Sequence, residues 1–203
     1  MAFNYEHSDT AEAGNDQTED DSSADLSLDI LCHTFSEDGL RFAMVTDNKK
    51  LLVWEVAHWD NKLSLNVPRR PTCIKFCNLT SNILVVSDKA GDVHKYILNQ
   101  ESKEPSLLLG HLSMVLDVVF SPDDKYIISA DRDEKIRVTL FSHPYIIHSY
   151  CLGHTRLVSS LQVLSDKLLL SGGGDSCLRL WDYTTGEELD RVVVGEEGQQ
   201  QVG

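Results

Sequence analysis

The sequence predicts an all-β protein of the β-propeller class, and two regularities along the chain indicate that fold. The first is a period, because four positions that end similar phrases are spaced by 42, 43 and 42 residues, namely Trp54, Tyr96, Thr139 and Trp181. A period of about 40–45 residues made of short strands is typical of one four-stranded propeller blade per repeat. The second is the alternation, within each repeat, of short apolar runs with turn-forming Asp, Asn, Gly and Ser.

The four repeats follow one another with the same order of strands and turns. Unit one (about 29–66) contains ILCHTF, RFAMVT and LLVWEV, and unit two (67–104) contains TCIKF, ILVVS and VHKYIL. Unit three (105–150) contains MVLDVVF, KYIISA and IRVTLF, and unit four (151–194) contains RLVSSLQV, KLLLS and CLRLW. No helical period competes with this pattern, so residues 29–194 are predicted to form one array of blades.

The flanking segments do not continue the pattern. Residues 1–28 are acidic and nearly free of large apolar groups, so we expect them to be disordered. The formal net charge is −14, and residues 1–30 hold nine acidic side chains without Lys or Arg, which leaves about −5 for the rest. Such a chain is a poor electrostatic platform for nucleic acid, which needs a clustered basic face. Residues 195–203 are predicted to be a non-propeller tail.

The sequence indicates neither a disulfide framework nor a membrane segment. The five cysteines are an odd number, and Cys73 and Cys77 stand four residues apart without the second ligand pair of a zinc pattern. No apolar run approaches the roughly 18 residues of a membrane span, and no charged-then-apolar leader opens the sequence. We therefore expect packed thiols, no metal site, no membrane partner and a reducing intracellular location, the nucleus, with the cytoplasm as the alternative.

One constellation in unit four has the residue types of a hydrolytic triad, namely His154, Ser171 and Asp175. Its spacing favours a structural role, because His154 follows a glycine and Trp181-Asp182 comes 27 residues later. This frame is similar to that of the WD repeat, in which His, Ser, Asp and Trp form a hydrogen-bonded chain within a blade. A buried Asp–His pair with satisfied partners stiffens a blade. We predict a structural tetrad of His154, Ser171, Asp175 and Trp181, and no catalytic residue.

Unit three carries part of the same frame. His111, Ser129 and Asp133 stand at the matching offsets, but Thr139 replaces the tryptophan, so the predicted hydrogen-bonded chain is incomplete. Units one and two have no Gly-His pair at all.

The run Gly172–Gly174 does not indicate a nucleotide site. A phosphate-binding glycine loop must lead into a helix whose N-terminal amides face the ligand, whereas this run leads into the strand CLRLW. We predict a hairpin turn and no bound cofactor.

Two charged turns suggest a docking patch. Residues 131–135 are five consecutive charges between two strands, and residues 87–93 form the counterpart one blade earlier. A solvated turn is the alternative, but turns on adjacent blades lie on the same face, which is how a binding surface is built. The guanidinium groups of Arg132 and Arg137 suit bidentate pairing with carboxylates of a partner.

Three stretches identify a more specific resemblance. Residues 107–139, with SDKAGDV (87–93) and SYCLGHTRLVS (149–159), resemble the WD-repeat, non-catalytic subunit of the eukaryotic tRNA (guanine-N7)-methyltransferase, over roughly residues 30–190. The resemblance implies a scaffold that binds and stabilises a separate Rossmann-like methyltransferase as a heterodimer. That partner holds S-adenosylmethionine, and the complex methylates a guanine in the tRNA variable loop, so that tRNA is held mainly through the complex.

The resemblance also implies which residues meet the partner and how much of the ring is present. It places the contacts on Lys89, Asp133, Glu134 and Arg137, to which the charge argument adds Arg132. Members of the family carry about seven blades, and this sequence shows four, so we expect a WD-repeat β-propeller that is an incomplete ring, as in a fragment, a splice form or a truncated gene model. Because unpaired strand edges promote aggregation, we expect poor solubility or oligomers for the chain alone.

Two other functions remain open at this point. WD propellers also serve as substrate receptors of cullin-type ubiquitin ligases, which often show Trp-Asp-x-Arg at a blade end, whereas Trp181–Tyr183 is followed by Thr184 here. Direct RNA contact is open through Lys49, Lys50, Arg69 and Arg70. These four lie in an acidic protein without an aromatic stacking platform, so we expect them to assist at most.

Overall fold

The computed structural model describes residues 29–101 and 104–194, which form sixteen strands and four antiparallel sheets of four strands each. The predictions of a disordered segment over 1–28 and of a tail over 195–203 lie outside the described residues. No helix in the part of the chain that the structure describes could cross a membrane. The prediction of an all-β array of four units is confirmed.

Within each sheet the strands pair in chain order, each antiparallel to the next. The first sheet consists of β1 (Ile30–Phe35), β2 (Arg41–Thr46), β3 (Lys50–Glu55) and β4 (Asp60–Asn66). The second consists of β5 (Pro71–Phe76), β6 (Ile83–Asp88), β7 (Asp92–Ile97) and β8 (Ser106–Gly110). The third consists of β9 (Val115–Phe120), β10 (Tyr126–Asp131), β11 (Lys135–Leu140) and β12 (Ile147–Leu152). The fourth consists of β13 (Val158–Val163), β14 (Leu168–Gly173), β15 (Cys177–Asp182) and β16 (Glu187–Val193).

The outer strands of two sheets extend past the predicted unit boundaries. The boundary at 104 is wrong, because β8 pairs with β7 and so completes the second sheet. The boundary at 150 is also too early, since Lys135 and Ile136 pair with Leu152 and Cys151 of β12. Most residues of the outer strands β8 and β12 are exposed, and β16 is exposed throughout its length. They therefore carry little of the apolar alternation by which a strand is recognised in sequence.

The periodic positions share one place in the fold, the fifth residue of the third strand in each sheet. Tyr96, Thr139 and Trp181 are buried, and Trp181 packs in the apolar cluster between the third and fourth sheets. Trp54 is only partly buried, since Val53 faces the second sheet and neighbouring residues of a strand point to opposite sides. The four periodic positions therefore lie on the same side of their sheets. In the second, third and fourth sheets this side faces the preceding sheet.

Apolar clusters lie between consecutive sheets. The first and second sheets share one that includes Val45, Leu51, Leu84 and Tyr96. The second and third sheets share one that includes Val85, Val93, Val115 and Ile127. The third and fourth share one that includes Ile128, Val138, Leu169 and Trp181. The strand β10 contributes to two clusters, with Ile127 in one and Ile128 in the other, and all six of its residues are buried.

One carboxylate ties three consecutive sheets together. Asp117 of β9 accepts hydrogen bonds from the backbone N–H of Leu161 on β13 at 2.7 Å and from Sγ of Cys73 on β5 at 3.4 Å. Burial raises the pKa of Asp117 above its ordinary value, and these hydrogen bonds oppose the shift without cancelling it. The tie fixes the inner strands of the second, third and fourth sheets relative to one another.

Backbone hydrogen bonds also define one continuous end of the array, here called the upper face. The loop between two sheets bonds to the turn between the second and third strands of the sheet before it, as in Val67 N–H to Lys49 O (2.9 Å) and His111 N–H to Gly91 O (2.8 Å). The same turns of the following sheets bond back to these loops, as in Lys89 N–H to Arg70 O (3.1 Å) and Arg132 N–H to Met114 O (2.9 Å). Loops and turns therefore alternate along a single connected surface.

Candidate functional site

The predicted tetrad lies in the fourth sheet as one chain of hydrogen bonds. Nδ1 of His154 is 3.0 Å from Oδ1 of Asp175, and Nε2 is 2.7 Å from Oγ of Ser171. The indole N–H of Trp181 donates to the same Oγ at 2.8 Å. Because an ionised carboxylate only accepts, Nδ1–H of His154 donates to Asp175; in this Nδ1–H tautomer Nε2 accepts from the Ser171 hydroxyl, whose oxygen accepts from the indole N–H. Every polar group of the tetrad is therefore engaged within the sheet.

The tetrad has a buried neighbour that the sequence reasoning missed, Arg179 of β15. Its Nη2 lies 3.6 Å from Oδ2 of Asp175, and its Nη1 pairs with Glu188 of the outer strand. A Cβ added to Gly153 would stand 2.8 Å from Nη1 of Arg179, so the end of that side chain would have to shift. The position reads in sequence as an ordinary exposed strand residue, and only the packing of the outer strand buries it.

Asp175 is held in its charged form. Burial alone raises the pKa of Asp175, but the hydrogen bonds from His154 and from the Thr155 N–H outweigh it, so the pKa lies below its ordinary value. The backbone N–H of Cys177 also donates to this carboxylate, at 3.2 Å.

The corresponding chain of hydrogen bonds in the third sheet contains Asp131 and not the predicted Asp133. Nδ1 of His111 is 2.9 Å from Oδ2 of Asp131, and Nε2 is 2.7 Å from Oγ of Ser129. Asp133 instead accepts a hydrogen bond from Oγ of Ser113 at 2.9 Å and remains exposed. The reason is local, since Asp131 ends β10 and its Oδ1 already caps the N–H groups of Asp133 and Lys135. Sequence offsets do not distinguish two aspartates two residues apart, one at the end of a strand and the other in the turn that follows it.

The predicted docking residues all lie at the upper face. Arg132, Asp133 and Glu134 are exposed in the turn between β10 and β11, and Glu134 has a φ of 72°. Lys89 is exposed in the equivalent turn of the second sheet. The loop His111–Met114 lies between these turns and bonds to both, through Gly91 O and the Arg132 N–H. The structure therefore places the two charged turns on one surface, joined by one loop.

Arg137 lies in a cleft beside this loop, here called the Arg137 cleft. The cleft has a volume of about 180 Å³ and is lined mainly by Leu112, Ser113, Asp133, Lys135, Arg137 and Tyr150. Nη1 of Arg137 donates to the carbonyl of Gly110 at 2.9 Å, whereas its buried Nε has no partner among the described residues. Burial lowers the pKa of Arg137, with Tyr150 and Asp131 opposing the shift. The cleft is thus lined by a guanidinium whose Nη1 is engaged by a backbone carbonyl and whose Nε is buried.

The lysines and arginines considered for RNA contact share the upper face but lie toward the first and second sheets. Nζ of Lys50 donates to Oδ1 of Asn66 at 2.8 Å, and Nη1 of Arg69 is 3.9 Å from Oδ2 of Asp92. Lys49 and Arg70 are exposed. Two of the four cations are therefore engaged with neighbours of their own chain.

The glycine run and the cysteines take structural places. Gly172 and Gly173 belong to β14, and Gly174 begins the turn into β15, so no helix follows them. All five cysteines are free, and burial raises the pKa of Cys151 to about 12. Among residues 29–101 and 104–194 there is no group of three His, Cys, Asp or Glu arranged to hold a metal ion.

Comparison with known proteins identifies the family. Residues 97–202 match the family model described as tRNA methyltransferase TRM82 WD40 domain. The chain is 42% identical over 191 residues to the Mus musculus "tRNA (guanine-N(7)-)-methyltransferase non-catalytic subunit WDR4", covering 91% of this chain and 46% of that protein. The chain belongs to this family. It is 44% identical over 162 residues to the Homo sapiens WDR4 of the same description, covering 79% of this chain and 39% of that protein.

Solved structures support the family's fold. A chain in the "Crystal Structure of Mitotic Checkpoint Complex" aligns with a TM-score of 0.75 at 19% identity, over 85% of this chain and 53% of that one. The computationally designed Ika8 protein aligns with a TM-score of 0.68, over 80% of this chain and 48% of that one. The resemblance and the WD-repeat fold predicted from the sequence are confirmed. The chain spans less than half the length of these curated relatives.

Proposed function

We propose that this chain acts within the non-catalytic subunit of a tRNA (guanine-N7)-methyltransferase, and that its upper face binds and stabilises the catalytic subunit. The observation that carries the proposal is the charge-dense turn 131–135, joined by one loop to the turn of Lys89 and adjoining the Arg137 cleft. The names of the relatives support the same role. S-adenosylmethionine would then be bound by the partner, and tRNA mainly by the complex.

The engagement of the tetrad supports a scaffold over a catalyst. A serine nucleophile needs a histidine that is free to take its proton and a hydroxyl that can reach substrate. Here the Ser171 hydroxyl lies between His154 and Trp181, and Ser171 is 1% exposed. The residues with the chemistry of a hydrolase are therefore used to hold the upper end of the fourth sheet.

The charges of the upper face suit a specific protein partner. Lys89 and Arg137 are cationic, while Asp133 and Glu134 are anionic, so the face presents both signs within two adjacent sheets. A partner with the opposite pattern is attracted in only one register, because shifting it brings like charges together. The guanidinium of Arg137, which lines the cleft, suits a carboxylate in particular.

Two substitutions test this docking assignment. We expect Arg137→Ala and Lys89→Glu each to weaken binding of the purified catalytic subunit by about tenfold or more, since each removes a charged contact near the centre of the interface. The dissociation constant would be measured by isothermal titration calorimetry, and the unfolding midpoint should stay near that of the wild type.

The matched control is Lys167→Glu, a charge reversal at an exposed lysine between β13 and β14, at the opposite end of the array. It should leave binding unchanged. If Arg137→Ala and Lys89→Glu bind like the wild type, the docking face is wrongly assigned.

A further inference from the structure

Leu112 is the most exposed of the large apolar residues in the described part of the chain, with a relative exposure of 106%. It lies in the loop between β8 and β9, on the upper face. No apolar cluster of the fold includes it. Its side chain thus adds nothing to the core.

The backbone that presents Leu112 is held on both sides. The N–H of His111 donates to Gly91 O at 2.8 Å, and the His111 ring is fixed by Asp131 and Ser129. On the other side, Oγ of Ser113 donates to Asp133 at 2.9 Å. The loop also packs against Gly91 so closely that a Cβ there would stand 2.5 Å from the His111 carbonyl oxygen. An apolar side chain on so constrained a loop loses little backbone entropy when it binds.

The surroundings of Leu112 indicate what it meets. It stands at the rim of the Arg137 cleft, next to the guanidinium of Arg137 and the half-exposed ring of Tyr150. An exposed apolar side chain beside an arginine and a tyrosine has the composition of an interface centre. A complementary surface needs an apolar pocket for the leucine and a carboxylate for the arginine, side by side.

We infer that Leu112 is the apolar anchor of the docking face and inserts into an apolar pocket of the catalytic subunit, next to an acidic residue that pairs with Arg137. The inference rests on the proposed function and extends it from charged contacts to a buried centre.

The test compares Leu112→Ala with Leu79→Ala in the full chain, by titration with the purified catalytic subunit. Leu79 is 72% exposed, lies between β5 and β6 at the opposite end, and is likewise held, since its N–H donates to Asp124 at 2.8 Å. We expect about a tenfold or greater loss of affinity for Leu112→Ala and none for Leu79→Ala. Leu112→Met, of similar volume, should bind nearly as well as the wild type.

The salt dependence of binding distinguishes the charged contact of Arg137 from the apolar contact of Leu112. At about 0.5 M NaCl the loss caused by Arg137→Ala should shrink, whereas the loss caused by Leu112→Ala should persist. If Leu112→Ala binds like the wild type while Arg137→Ala binds more weakly, Leu112 is not an anchor, and the proposed docking face is still supported. Failure of the wild-type chain to bind the catalytic subunit overturns both.

Discussion

Two buried carboxylates, Asp131 and Asp175, organise the upper ends of the third and fourth sheets. Each accepts a hydrogen bond from a histidine ring and from two backbone N–H groups, which lie in its own turn for Asp131 and are those of Cys177 and Thr155 for Asp175. Burial raises the pKa of Asp131, but the hydrogen bonds from His111 and from the Lys135 N–H prevail and the pKa lies below its ordinary value. The charged form is therefore the one that stabilises the fold.

This linkage predicts how Asp131→Asn changes stability with pH. An aspartate in the unfolded chain has a pKa of about 3.9, and the pKa of the folded Asp131 is lower. The stabilisation is therefore fully present above the unfolded pKa and is lost as pH falls through the folded pKa. We expect Asp131→Asn to reduce the free energy of unfolding by about 1–3 kcal/mol at neutral pH, and by progressively less below about pH 4. Urea unfolding followed by tryptophan fluorescence measures this difference.

Asp190→Asn is the control, because Asp190 is an exposed carboxylate of the outer strand β16. It should change the free energy of unfolding little at any pH. A deficit of Asp131→Asn that stays constant down to about pH 3 would contradict the assigned role of the carboxylate.

At the scale of elements, the upper face depends on the contact between the loop His111–Met114 and the turn that contains Gly91. Gly91 has a φ of 102°, and a Cβ on it would lie 2.5 and 2.6 Å from the carbonyl oxygens of His111 and Ser113. Both are backbone atoms, so the loop itself would have to move. The loop carries Leu112, and the turn carries Lys89, so their separation would disturb both parts of the docking face.

Gly91→Ala should therefore be more damaging than an ordinary substitution at positive φ. We expect it to reduce the free energy of unfolding by at least about 2 kcal/mol, from the left-handed backbone together with the clash. We also expect weaker binding of the catalytic subunit. Thermal unfolding monitored by circular dichroism measures the first effect.

Gly39→Ala separates the two causes, since Gly39 has a φ of 68° but nothing within 4 Å of an added Cβ. It should show only the backbone strain, about 1–2 kcal/mol. If Gly91→Ala and Gly39→Ala reduced the free energy of unfolding equally, the loop His111–Met114 would move aside without a cost in free energy.

At the scale of the whole molecule, charge decides how the chain meets RNA. The net charge is −14, and the cations Lys49, Lys50, Arg69 and Arg70 share a face with the carboxylates of the docking turns. Phosphate binding requires a concentrated basic surface, and nearby carboxylates oppose it. The same face suits a protein with mixed charges better than a polyanion.

We accordingly expect the isolated chain to bind tRNA far more weakly than its complex with the catalytic subunit, even at about 50 mM salt. Fluorescence anisotropy of labelled tRNA across a salt series measures both affinities. The catalytic subunit alone serves as the reference. Tight, salt-sensitive binding by the isolated chain would show that these four cations form a principal RNA site.

The local repetition of the sequence predicted much of the fold and part of the site. The spacing of Trp54, Tyr96, Thr139 and Trp181 recurs as one position in four sheets, because each sheet repeats the same packing against its neighbour. The offset between His154 and Trp181 likewise led to the tetrad. The outer strands were recognised least well, since most of their residues are exposed and carry little of the apolar alternation.

What the sequence determined by itself about this protein is periodic and local: four similar units, their inner strands, and turns dense in charge. Only the tertiary structure decided that His111 meets Asp131 and not Asp133, that the Nε of Arg137 stays unpaired, and that Leu112 stands fully exposed. These outcomes depend on contacts between groups some twenty to forty residues apart, such as His111 with Asp131 and Cys73 with Asp117. The fold of one sheet brings His111 to Asp131, and packing of one sheet against the next brings Cys73 to Asp117. A local sequence pattern does not encode these contacts.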